Sequence, residues 1–199
     1  MMLTQNSELR ARAIRSLRHK WMMSALATLV FFLLNGAISM VPFLGYLLIF
    51  LVGIPLTWGI YILFLDSYRG SEIHIENVLS GFSDYGRIVG TGFLVWLYTS
   101  LWSLLLVIPG IIKHYSYSMT YYILKDEPDI KFNAAIEKSM KMMDGNKMKL
   151  FLLDLSFIGW GLLSCLTLGI GFFFLVPYMY SARAAFYGDL KGESEPVCN

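Results

Sequence analysis

Three charged residues stand inside long apolar runs of this chain: Lys113, Asp154 and Arg183. A charge at the centre of a membrane helix costs about 2.5–3.5 kcal/mol on insertion scales, so such residues pair, snorkel or mark a site. Asp154 and Arg183 are equidistant from the Leu168–Gly169 bond. If the chain turns there, they reach the same depth, and a carboxylate can meet a guanidinium through charge-assisted, bidentate hydrogen bonds. The expected role is structural glue, ahead of any proton relay; independent snorkelling to the headgroups is the rival reading. Lys113 opens a second constellation, a polar stripe with Ser116, Tyr117 and Thr120 at helical spacing and with His114, Tyr121 and Tyr122 beside it. Such a stripe lines a cavity or holds a lipid headgroup. The plainer alternative is a snorkelling lysine with interfacial tyrosines at a helix end.

Other catalytic signatures are missing from the sequence. It has no Gly-rich phosphate loop, no His-Glu-x-x-His, no Cys-x-x-Cys and no Gly-x-Ser-x-Gly. His19, His74 and His114 are scattered, and nothing in the sequence orients Ser103 or Ser116 toward His114. Cys165 and Cys198 make neither a disulfide framework nor a metal cluster. No catalytic residue, metal or cofactor is therefore expected, and the chain reads as a non-enzyme. Gly86-x-x-x-Gly90 and Gly159-Trp-Gly161 read as helix-packing positions.

The elements that would carry the three charges follow from composition. Of 199 residues, 56% are hydrophobic and 15% charged, against about 45–50% and 25% in a soluble domain. That excludes an ordinary soluble enzyme, a nucleic-acid binder and a disordered regulator. A bilayer core needs about 20 apolar residues per helical span. The runs divide into six helices, about 21–40, 43–65, 88–107, 109–124, 149–167 and 170–187. The last two are separated at Thr167-Leu-Gly-Ile-Gly171, and the middle two at Ile108-Pro-Gly110. Five of the 16 Lys and Arg residues precede Trp21, and six lie between Lys125 and Lys149. The outer turns Asn35–Pro42, Leu105–Pro109 and Thr167–Gly171 carry no charge. Basic loops stay cytoplasmic, so both termini and the loops 66–87 and 125–149 are expected on that side. A cleaved leader ending near Ala37-Ile-Ser39 is the rival reading of the first helix, but its polar start is long for that role.

Each hairpin is preceded by an amphipathic segment suited to a membrane interface. The apolar faces are Leu9, Ala13, Leu17 and Trp21 in the first, and Ile75, Val78, Leu79 and Phe82 in the second. The third uses Phe132, Ile136, Met140 and Met143. The hairpins end at Asp66, Asp126 and Asp189, which outlines a weak threefold repeat over 6–66, 71–126 and 130–189. Amphipathic linkers and acidic exits in any hairpin protein are the competing explanation. The expected fold is thus all-α: one integral membrane domain over residues 1–199, a bundle of about six transmembrane helices as three hairpins. Its repeats would be parallel, unlike the inverted repeats of many secondary transporters.

Ile108-Pro-Gly-Ile-Ile-Lys-His-Tyr-Ser-Tyr-Ser-Met-Thr-Tyr-Tyr-Ile-Leu124, Ala134-Ala-Ile-Glu-Lys-Ser-Met-Lys-Met-Met143 and Leu152-Leu-Asp-Leu-Ser-Phe-Ile-Gly-Trp160 form a familiar combination. With Leu166–Gly171, Pro177-Tyr178 and Ala184–Tyr187 they resemble a bacterial integral membrane family of unknown function, domain nine-seven-five, most closely from Val107 to Asp189. The resemblance implies a multi-pass inner-membrane protein and assigns no reaction or site residue. Membrane lipids, a protein partner or a second copy are the expected partners, and nucleic acid is not. The expected function is non-catalytic, in envelope maintenance or as an accessory subunit. The alternative is a small carrier or channel for a hydrophobic or anionic solute. For the topology, a cysteine placed at Ser39 should react with an impermeant thiol reagent in intact cells, and one at Gly145 should not, with Cys165 and Cys198 removed. External labelling at 145 would overturn the orientation.

Overall fold

The computed structural model describes residues 4–40 and 45–193, and every regular element among them is helical. Residues 41–44, which fall in the expected first outer turn and the start of the second span, lie outside the described residues, as does Cys198. Helix α1 (Asn6–Leu17) turns through His19, whose φ is 67°, into α2 (Trp21–Ser39). The return run comprises α3 (Gly45–Leu48), a π turn (Ile49–Gly53) and α4 (Ile54–Tyr68). Pro55 has no N–H for the preceding turn and its ring crowds the carbonyl four residues back, which accounts for the widening there. A 3₁₀ helix (Ile75–Phe82) leads to α5 (Tyr85–Leu105), which folds back as α6 (Val107–Tyr117) and α7 (Thr120–Asp126). Then come α8 (Phe132–Met142), α9 (Lys147–Leu155), α10 (Ile158–Leu166) and α11 (Phe172–Lys191).

Among the described residues, four helical stretches are long and apolar enough to cross a membrane: Trp21–Ser39, Ile49–Tyr68, Tyr85–Leu105 and Lys147–Leu166. The two other expected spans differ for physical reasons. The α6–α7 run is interrupted at Ser118–Met119, and α11 is diluted by its tyrosines, Pro177, Arg183 and Asp189. The second stretch is the central one, with 56% of its span buried against 17–22% for the others.

Among the described residues, apolar side chains are highly exposed where α5 folds back into α6 and α10 into α11. Leu104 to Ile108 form the first of these turns, Leu166, Leu168 and Ile170 the second, and Met40 and Leu47 are exposed on either side of residues 41–44. Leu168 is 95% exposed and Leu104 is 87% exposed, and patches of this kind seek an apolar neighbour. The two turns share one detail. A Cβ on Gly110 would lie 2.8 Å from the Ser103 Cα, and one on Gly171 would lie 2.8 Å from the Ser164 Cα. Both glycines follow their serine by seven residues, so both hairpins close through the same serine–glycine contact.

The amphipathic segments pack partly against protein. In α1, Leu9, Ala13 and Leu17 are buried among residues of α4 and α11; Ala135 and Ile136 of α8 and Met143 just past it are buried, while Phe132 is 43% exposed. The 75–82 segment departs from the α-helical expectation. With three residues per turn, Val78 and Gly81 face α4, while Leu79 and Phe82 turn outward at 51% and 38% exposure. Direct backbone contact selects this geometry. A Cβ on Gly59 would sit 2.0 Å from the Val78 carbonyl oxygen, and one on Gly81 would sit 2.1 Å from the Pro55 carbonyl oxygen. Gly59→Ala and Gly81→Ala should therefore each cost about 1–3 kcal/mol of stability in detergent, the usual range for overpacking. Gly86→Ala, where nothing lies within 4 Å, is the control. Equal melting temperatures for all three variants would show that the backbones are not in contact.

Candidate functional site

Helices α10 and α11 are joined by a turn in which Leu168 and Gly169 both adopt positive φ, 53° and 88°. The Gly169 N–H donates to the Ser164 carbonyl at 3.1 Å. This reversal sets Asp154 and Arg183 opposite each other. The Arg183 guanidinium donates to both carboxylate oxygens, Nε at 3.2 Å and Nη2 at 2.8 Å. Side-chain exposures of 21% and 14% leave the pair largely enclosed. Two further hydrogen bonds reach it, one from α6 and one to α4. The Tyr115 hydroxyl on α6 donates to Asp154 Oδ2 at 3.2 Å, and Arg183 Nη1 donates to the Tyr61 hydroxyl on α4 at 3.2 Å. The Tyr61 ring packs edge-on against Tyr121, Tyr122 and Tyr180, with centroids 4.9–5.4 Å apart. One polar cluster therefore joins α4, α6, α9 and α11. A cleft of about 190 Å³ between α2 and α11, walled by Phe31, Phe32 and Met179, opens onto Arg183.

The polar stripe is placed elsewhere. Ser116, Tyr117 and Thr120 are buried, with the Ser116 and Thr120 hydroxyls donating to carbonyls of Ile112 and Tyr117. Lys113 stands over the Trp102 ring at 5.1 Å and meets Met140 Sδ at 3.9 Å. The stripe packs against α8, where Ser139 enters the break between α6 and α7. Its hydroxyl donates to the Ser116 carbonyl at 2.8 Å and accepts from the Met119 N–H at 3.2 Å. A side chain inserted into a helical ladder is an ordinary cause of such a break. Sequence reasoning missed Ser139, Tyr61 and Tyr115. A hydroxyl three residues after Ile136, on an otherwise apolar face, was the available signal for the first.

At the opposite end from the apolar reversals, three aspartates connect the hairpin exits. Asp66 accepts from Lys125 at 3.1 Å, and Asp189 from Lys149 at 3.3 Å and from the Thr4 N–H at 2.9 Å. Asp126 accepts from both Arg69 terminal nitrogens at 2.6 and 2.8 Å, from Lys191 at 2.6 Å and from the Tyr187 hydroxyl at 2.9 Å. Arg69 also reaches Glu193 at 2.7 Å. Burial pushes the Asp126 carboxyl up, but the hydrogen bonds from Arg69, Lys191 and Tyr187 together outweigh it and hold the group well below the carboxylate range. A carboxylate lowered in the folded state stabilises at pH above its unfolded value, about 3.9, and that contribution fades as pH falls toward the folded one.

Residues 94–194, half of the chain, match the family model described as protein of unknown function, DUF975. The chain belongs to this family. Its matched region contains α6 to α11 and with them Tyr115, Ser139, Asp154 and Arg183, but not Tyr61. No curated protein and no solved structure matches the chain.

The geometry of the charged pair generates a quantitative expectation. Removing one member strands a buried charge, which typically costs about 3–5 kcal/mol. Asp154→Asn, Arg183→Gln and the double variant, compared by thermal unfolding in detergent, should show a coupling of about 1–3 kcal/mol, with the double variant better than the sum of the singles. Strictly additive losses would mean that the two side chains act independently.

Proposed function

We propose that this member of the DUF975 family is a multi-pass membrane protein that acts by binding lipids or a membrane-protein partner. It carries three hairpins of two passages each in one domain, with both termini and the loops 66–87 and 125–149 in the cytoplasm. Envelope maintenance or service as an accessory subunit is the role consistent with that behaviour. The observation that carries this reading is the sorting of polarity along the hairpins. Exposed apolar side chains gather at their reversals, while Asp66, Asp126 and Asp189 are engaged in ion pairs at the other end. Charges of the apolar region are engaged with neighbouring side chains, Asp154 with Arg183 and Lys113 with Trp102 and Met140. The shared serine–glycine contact and the three acidic exits support a parallel repeat over 6–66, 71–126 and 130–189.

A second reading, a small carrier for a hydrophobic or anionic solute, draws on the cleft that opens onto Arg183. Proteoliposomes separate the two. On the first reading, the reconstituted chain moves no inorganic or organic anion, and cells lacking it differ from the parent in lipid content or lose a co-purifying membrane partner. Anion flux that falls in Arg183→Lys and in Phe32→Trp, which narrows the cleft without touching the ion pair, would replace the first reading by the second.

A further inference from the structure

A groove of about 430 Å³ lies on the other face of α11 from the Arg183 cleft. Its walls are Ile14 of α1, Trp21 of α2, Trp160 and Leu163 of α10, and Phe174 and Tyr178 of α11. It is open to the surroundings, since Ile14, Trp160, Leu163 and Phe174 are 47–57% exposed. From Tyr178 the groove follows α11 back to Gly171, beside Thr167, a run of about 10 Å at helical rise. The α1 wall is flanked by cations. Arg10 precedes Ile14 by four residues and Arg18, the residue just past α1, follows it by four, and Arg10 acts electrostatically on Tyr178. Arg12 and Arg15 of the same helix engage Glu8, but neither Arg10 nor Arg18 has an acidic partner among the described residues.

An apolar trough flanked along α1 by two guanidinium groups with no acidic partner among the described residues matches a molecule with a hydrocarbon chain and an anionic head. We infer that the groove holds an acyl chain of an anionic phospholipid, with its phosphate on Arg10 and Arg18. Arginine suits the phosphate through its planar fork of donors, and Trp21 and Trp160 offer rigid rings to the chain. The inference rests on the membrane reading above and assigns it a lipid class and a site.

Tryptophan quenching tests it in the full chain. Trp96→Phe and Trp102→Phe leave Trp21, Trp160 and the buried Trp58, which is 6% exposed. The protein is placed in phosphatidylcholine vesicles containing equal amounts of either acyl-brominated phosphatidylglycerol or acyl-brominated phosphatidylcholine. The anionic lipid should quench preferentially, by about fivefold per cation. Arg10→Gln with Arg18→Gln should abolish the preference, and Arg10→Lys with Arg18→Lys should retain most of it. Equal quenching by the two lipids, or a preference that survives the double glutamine variant, would overturn the site and leave the membrane reading standing. Absence of quenching by either lipid would overturn both.

Discussion

A charged group enclosed among apolar helices must find a partner, and this requirement organises the interior. Arg183 and Asp154 bond to each other and so tie α11 to α9. Each also takes one further hydrogen bond, Arg183 with Tyr61 of α4 and Asp154 with Tyr115 of α6. Removing one partner of a buried pair is strongly destabilising, because it leaves the other charge uncompensated. Four helices that could slide past one another are held at one shared point.

Away from that point the two ends of the helices follow opposite rules. The α5–α6 and α10–α11 reversals are closed by small residues, Ser103 against Gly110 and Ser164 against Gly171, and expose leucine and isoleucine around them. The exits are held by charge. Single exposed ion pairs contribute little, about 0–1 kcal/mol, but Asp126 is 13% exposed and serves Arg69 and Lys191 together. Arg69, just past α4, and Lys191, at the end of α11, thereby converge on the carboxylate that ends α7. Polar end and apolar end are thus built by different forces, and the charged cluster lies between them.

The contact between α4 and the 3₁₀ helix depends on the absence of two side chains. Gly59 and Gly81 let two backbones touch, and a three-residue period aligns Val78 with Gly81 on the contact face. The α-helical period read from Ile75, Val78, Leu79 and Phe82 grouped residues that the 3₁₀ geometry separates. Here a close approach in the folded chain overrode the local hydrophobic pattern, which contains no information about what lies opposite.

Much was nonetheless legible in the residues themselves. The helical class, the apolar runs, the reversal at Thr167–Gly171 and the equal spacing of Asp154 and Arg183 about it are properties of neighbours along the chain. Composition, period and turn chemistry express these directly. Tertiary structure alone decided which way the side chains face and who answers them. It brought Tyr61 and Tyr115 to the ion pair across 122 and 39 residues of chain. It turned the Lys113 stripe toward α8, and it placed Ser139 in the gap between α6 and α7. These pairings join residues far apart in sequence. Their energies depend on distance and enclosure in three dimensions, which no local pattern encodes.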